Sequence, residues 1–122
     1  MDDIFLPEET LFRAVYPPEI ASIFWRKDGT VSSAAFADAK GLSVERGYFR
    51  KDEEVIISMK KRFSGTIIML YVHDCFLIHA VVRYLPSKNN QYHSEIHGNA
   101  SEKLLSKSQR LFLSKRAIIV SK

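Results

Sequence analysis

Two histidines and a glutamate alternate along His93-Ser94-Glu95-Ile96-His97, between Gln91-Tyr92 and Gly98-Asn99. On a β-strand successive side chains point to opposite faces. His93, Glu95 and His97 therefore share one face, and Tyr92, Ser94 and Ile96 the other. Three readings of this run are open. The three side chains could hold a divalent metal, with His73, Asp74 or His79 as a further donor. One histidine could act as general base and the other as acid with no metal, a chemistry suited to RNA, whose 2′-OH is an internal nucleophile. Or the run is the solvated face of an edge strand. The candidate catalytic set is His93, Glu95, His97 and Arg13, and no metal or other cofactor is assigned.

Arg13 lies inside the strand-like run Thr10-Leu11-Phe12-Arg13-Ala14-Val15-Tyr16. An arginine there belongs at a sheet edge or beside a carboxylate, for which Glu95 is a candidate, or else it binds phosphate or a dinucleotide. Ser32-Ser33 could hold an anion or simply cap a short helix. His73, Asp74 and His79 fall in or beside an apolar run, where a histidine is usually a satisfied core or turn residue. Cys75 reads as a small buried hydrophobe. Glycine-rich phosphate loops, paired Cys-x-x-Cys and Gly-x-Ser-x-Gly are absent.

The chain that must position these groups has 122 residues, 46% of them hydrophobic and 26% charged, within the ordinary range of one globular domain. With a single cysteine no internal disulfide can form, which suits a reducing compartment. The acidic, proline-broken start does not read as a signal peptide, and the longest apolar stretch, Ile67 to Val72, is too short to span a bilayer. The expectation is a cytoplasmic protein with no membrane association.

Charge is uneven. Residues 1–60 carry eight Lys/Arg against eleven Asp/Glu, a net of −3; residues 61–122 carry ten against three, a net of +7. The basic half could meet RNA or DNA, an acidic protein partner, or the chain's own acidic half.

Secondary-structure patterns place the site. Glu19 to Trp25 reads as a helical turn, Ser32-Ser33-Ala34-Ala35-Phe36 as a capped short helix ending near Gly41, and Leu42-Ser43-Val44-Glu45 as a strand. Asp52 should cap a helix over Glu53 to Phe63, with Val55, Ile56, Met59 and Phe63 inward. Thr66–Val72 and Cys75–Tyr84 read as a hairpin around His73-Asp74. Ser106-Lys107-Ser108-Gln109 fits a capping box opening a helix to about Arg116. Its inner stripe would be Leu104, Leu105, Leu111 and Phe112. Lys103, Lys107 and Arg110, with Ser114, would form another face, and the three cations are the candidate nucleic-acid contacts. Ala117-Ile118-Ile119-Val120 closes the chain as a strand. The fold class is α+β: one domain over residues 1–122, a mixed sheet of about four to six strands packed with two main helices.

The succession Leu11-Phe12-Arg13-Ala14-Val15, Ser32-Ser33-Ala34-Ala35-Phe36, Gly41-Leu42-Ser43-Val44 and Tyr92-His93-Ser94-Glu95-Ile96-His97-Gly98 resembles a pattern in a group of small bacterial proteins with no established activity. It implies no function. A looser likeness is to the ADP-ribosyltransferase fold, where a first-strand arginine or histidine, a serine or tyrosine element and a late glutamate surround NAD; Arg13, Ser32 and Glu95 occur in that order. The reading that heads the expectations is a small domain acting on or near nucleic acid, as an RNase-type effector or RNA-binding accessory. The alternatives are a non-catalytic subunit of a larger protein partner and an NAD-dependent transferase.

Overall fold

The structure, a computed structural model, describes residues 1–122. Six strands form one sheet: β1 (Thr10–Val15), β2 (Leu42–Arg46), β3 (Thr66–Tyr71), β4 (Val81–Tyr84), β5 (His93–His97) and β6 (Ile118–Ser121), with three α-helices, α1 (Asp52–Lys60), α2 (Val72–Leu77) and α3 (Lys107–Arg116). The spatial order is β4-β5-β2-β1-β3-β6, and every ladder is antiparallel. The α+β architecture with two principal helices, α1 and α3, is the one expected.

Strand alternation divides the core between the two sheet faces. Leu11 and Val15 of β1, Leu42 and Val44 of β2, Ile68 and Leu70 of β3 and Ile96 of β5 face one side. There they meet Cys75 of α2, Leu113 of α3 and a 3-10 turn at Ser33–Phe36 that supplies Ala35 and Phe36. On the other side α1 lays Val55 and Met59 over Phe12, Ile67 and Met69. That helix covers the β1–β3 half only. On the same face Ser43 and Arg83 remain exposed, so the β2-β5-β4 half presents polar side chains outward.

Three expectations are corrected. Thr66–Val72 and Cys75–Tyr84 do not form a hairpin: β3 and β4 lie four places apart in the sheet, and α2 carries the chain away between them. Val72 and Cys75, three residues apart, bury together in the core. A short apolar run is equally compatible with strand and helix, and here packing decided. The helix after Arg50 starts at Asp52 rather than being capped by it, and stops at Lys60, leaving Phe63 44% exposed. Asp52, Glu53 and Glu54 still occupy its first turn and Lys60 its last, matching the helix dipole. In α3 the capping box is present in full, Ser106 Oγ accepting from Gln109 N and Gln109 Oε1 from Ser106 N. Of the expected inner stripe, Leu105 is buried just ahead of the helix and Phe112 packs against the core, but Leu104 and Leu111 are exposed, and the helix itself buries Leu113 and Ser114. The buried Ser114 hydroxyl is satisfied on both sides, accepting from Arg26 at 2.7 Å and donating to Leu111 O.

No helix is long and apolar enough to cross a membrane.

Candidate functional site

β5 begins at His93, two residues after Gln91 where the strand was expected to start, and its alternation holds: Ser94 and Ile96 are buried at 0% exposure in the core face, while His93, Glu95 and His97 occupy the polar face. β5 sits between β4 and β2, so it is not an edge strand. The register sets Ser43 directly opposite Glu95 on one side and Arg83 opposite it on the other, with Glu45 opposite His93. A row Ser43–Glu95–Arg83 thus crosses three strands on the open face.

The His-Glu-His run resolves into two separate couples. His97 Nε2 donates to Glu95 Oε1 at 2.8 Å, and His97 is nearly closed off at 6% exposure. Gly41, at φ +101°, crosses directly above them; a Cβ there would come within 2.8 Å of His97 Nε2. His93 is turned the other way. Its Nδ1 donates to Leu85 O at 2.8 Å, and its Nε2 lies 3.4 Å from Ser43 Oγ. Because a carbonyl can only accept, the neutral ring carries its proton on Nδ1. Nε2 is then a free lone pair facing a hydroxyl. Four residues of strand set the two histidine Cα atoms about 13 Å apart. No group of three or more His, Cys, Asp or Glu side chains is placed to hold a metal ion.

Arg13 is not on a strand neighbouring β5, nor at an edge, nor paired with Glu95. β2 intervenes, and the Arg13 guanidinium donates to two main-chain carbonyls, Ala35 O at 3.1 Å and Ser43 O at 2.8 Å. The reason lies in the ladder. β1 and β2 pair only through Leu11–Arg46 and Phe12–Glu45. Beyond Phe12 the strands part, and the arginine side chain occupies the gap. Burial there lowers its pKa from the ordinary value, with Asp38 opposing the shift. Arg13 thereby fixes the main chain of Ser43. A cavity of about 120 Å³ opens at the same seam, lined among others by Phe12, Ser43, Glu45, Met59, Asn90 and His93.

Next to His93, Glu45 is 3% exposed and holds Arg50 at 3.0 Å, Arg62, and the Asn90 amide at 3.1 Å. Arg50 in turn stacks 3.4 Å from the Tyr92 ring. Sequence reasoning missed both Glu45 and Ser43. Alternation in Leu42-Ser43-Val44-Glu45 does point Ser43 and Glu45 away from the core, but nothing local says which strand they will face.

The remaining candidates are dispersed. Ser32 Oγ donates to Ile23 O, and the cavity lined by Arg13 is lined by neither Ser32 nor Glu95. Cys75 is wholly buried, and burial with the nearby Asp74 charge pushes its thiol up to about 12. Lys103 and Lys107 are exposed, Arg110 is half-buried and donates to Leu105 O, and Ser114 is buried, so the four do not share a solvent face. Lys107 and Arg110 line a cavity of about 560 Å³ with His79 and Glu102. Lys103 O accepts from Gly98 N at 3.4 Å, which brings its segment against the His97 end of β5.

Compared with known proteins, the chain finds no match: no family model, no curated protein and no solved structure is significantly similar to it.

Proposed function

We propose that the open face of β2-β5-β4 is a catalytic surface acting on nucleic-acid phosphodiesters, with His93 as the general base. One observation carries the reading. His93 is fixed through Nδ1 by a main-chain carbonyl, and its Nε2 is offered to a hydroxyl on an exposed polar strip. This is the arrangement a base needs: geometry first, with the ring oriented from behind. The net charge of +7 over residues 61–122 supports an anionic substrate. Arg83 on the strip, and Lys103, Lys107 and Arg110 beyond the His97 end of β5, are the phosphate contacts of this reading. The Glu95–His97 couple, shielded under Gly41, holds the far end of the strip in place.

The experiment is cleavage of a labelled single-stranded RNA by the purified protein near neutral pH, with and without a chelator. Cleavage that resists chelation and falls 10²–10⁴-fold in His93→Ala is expected, the loss typical of a missing general base. Absence of both cleavage and salt-sensitive retardation of RNA or DNA would overturn the reading.

One observation favours a second reading, a partner-binding subunit. Tyr48 and Phe49 are consecutive non-glycine residues in the left-handed region, at φ 47° and 65°, and Phe49 stands 85% exposed. Backbone strain of this kind persists only where surrounding structure enforces it. A protruding aromatic side chain is the sort of group a protein partner buries. Phe49→Ala would then abolish pull-down of that partner while leaving the fold unchanged.

A further inference from the structure

We infer that Ser43 is a nucleophile, activated by His93, and that the protein cleaves phosphodiesters through a covalent phosphoserine intermediate. The inference rests on His93 acting as a base on phosphodiesters and names the attacking group.

Three features of the site converge on Ser43. Its hydroxyl is exposed on the open sheet face and lies 3.4 Å from His93 Nε2, the nitrogen left unprotonated by the Leu85 carbonyl. Its main chain is immobilised from the other side, because Ser43 O accepts from Arg13 at 2.8 Å. It stands in register with Glu95 and, one strand further, with Arg83. Arg83 lies two strand spacings from Ser43, about 10 Å across the face, so an extended Arg83 side chain and a phosphate seated over Ser43 together span the distance. Nucleophile, base and a group orienting the base form the constellation required for covalent catalysis, here with a carbonyl in the third role. Glu95 Oε1 is turned to His97 Nε2 at 2.8 Å and so is occupied by that hydrogen bond.

The reaction balances without any external oxidant, reductant or metal. Ser43 Oγ attacks phosphorus as its proton passes to His93 Nε2. The bond from phosphorus to the leaving ester oxygen breaks, and that oxygen takes the proton from the imidazolium. Water then adds to the phosphoserine diester, giving its proton to His93. The phosphorus–Oγ bond breaks, and Ser43 recovers its hydrogen. No 2′-OH takes part, so DNA is a substrate as well as RNA.

The test uses a fluorophosphonate probe on the intact protein, read by mass spectrometry. Attack by Ser43 forms an Oγ–P bond and expels fluoride. The expected result is a single adduct on Ser43, absent in Ser43→Ala and at least 10²-fold slower in His93→Ala, with both variants melting like the parent. A folded protein that takes no adduct, or takes it elsewhere, overturns the inference. So does labelling of Ser43 that is unchanged in His93→Ala. Cleavage of single-stranded RNA and DNA by Ser43→Ala separates this inference from the functional reading. If the variant cuts RNA as well as the parent and neither cuts DNA, the 2′-OH is the nucleophile; the inference fails and the role of His93 stands. If Ser43 is labelled in a His93-dependent way but no nucleic acid is bound or cut, the nucleophile stands and the nucleic-acid reading fails.

Discussion

Glu45 and Arg46 are neighbours in sequence and point to opposite faces of the sheet. Both are nearly closed off with several partners, so the difference between the faces lies beside Glu45, at His93. On the closed face Arg46 is fully buried. It meets Glu9 with two bonds of 2.8 and 2.9 Å, reaches Asp2 O and Ile4 O, and lies within 4.0 to 5.1 Å of the Phe5, Tyr48 and Tyr84 rings. Nearly all its hydrogen-bonding capacity is used, as a buried guanidinium requires. On the open face His93 has one nitrogen satisfied and the other turned to an exposed serine hydroxyl. Polar groups on one side of β2 are thus taken up in cohesion, while on the other His93 keeps a nitrogen free, the one the proposed function would use. What separates the roles is whether a charged or polar atom is left with capacity to spare.

The sharpest way to break this contrast is Arg46→Ala. It strands the Glu9 carboxylate, which is 9% exposed, and removes a cation from an aromatic cage. The expected loss is about 3–5 kcal/mol in urea unfolding, as for other broken buried pairs. A loss below about 1 kcal/mol would mean the closed face is not held by this cluster.

Gly41→Ala comes next. The new methyl would collide with the Glu95–His97 couple, and alanine at φ +101° is itself strained. Together these should cost about 1–3 kcal/mol, with the histidine resonance of His97 shifted in NMR. An unaltered His97 signal would show that the couple does not depend on the bare glycine.

Cys75 sharpens the comparison through pH. Burial, with the Asp74 charge, pushes its thiol from the ordinary 9.0 up to about 12. The folded protein keeps a proton that the unfolded chain gives up, so stability is whole below pH 9 and is lost as pH rises toward 12. Between those limits the slope should be about 1.4 kcal/mol per pH unit. Cys75→Ala should lack that slope when urea melts are compared at pH 8, 9 and 10.

The smallest effect on stability belongs to His93→Ala, expected within about 0.5 kcal/mol of the parent, as for a partly exposed side chain off the core. Set beside its predicted loss of activity, this is the signature of a group placed for chemistry. A large destabilisation would instead make His93 a strut that locks the Leu85 loop to β5.

Legibility followed the range of the interaction. The capping box at Ser106 and Gln109 was readable because both ends lie within one helical turn. The facing of His93, Glu95 and His97 was readable because strand alternation is local. The burial of Arg46 was not, since its partners at Asp2, Ile4 and Glu9 lie about forty residues upstream. Nor was the Ser43–His93 contact, which joins residues fifty apart and exists only because β5 enters beside β2. The hairpin expectation failed for a related reason. His73-Asp74 reads locally as a turn between two apolar runs, but Val72 to Leu77 forms α2, and β4 joins the sheet at its far edge rather than beside β3.

The short pairing between β1 and β2 has a kinetic consequence. β1 pairs with β3 at six positions and β2 with β5 at four, but β1 and β2 share only two, with Arg13 bridging the gap beyond them. The sheet is thus two triplets of strands, β4-β5-β2 and β1-β3-β6, sewn by a brief seam. In native-state hydrogen exchange the two triplets should emerge as separate cooperative units, with amides along the seam exchanging by a lower-energy opening than those at the centre of either triplet. Such an opening would part Ser43 from Arg13 while leaving Ser43 and His93 together on one unit, so the candidate reactive pair would ride intact through the sheet's most accessible fluctuation.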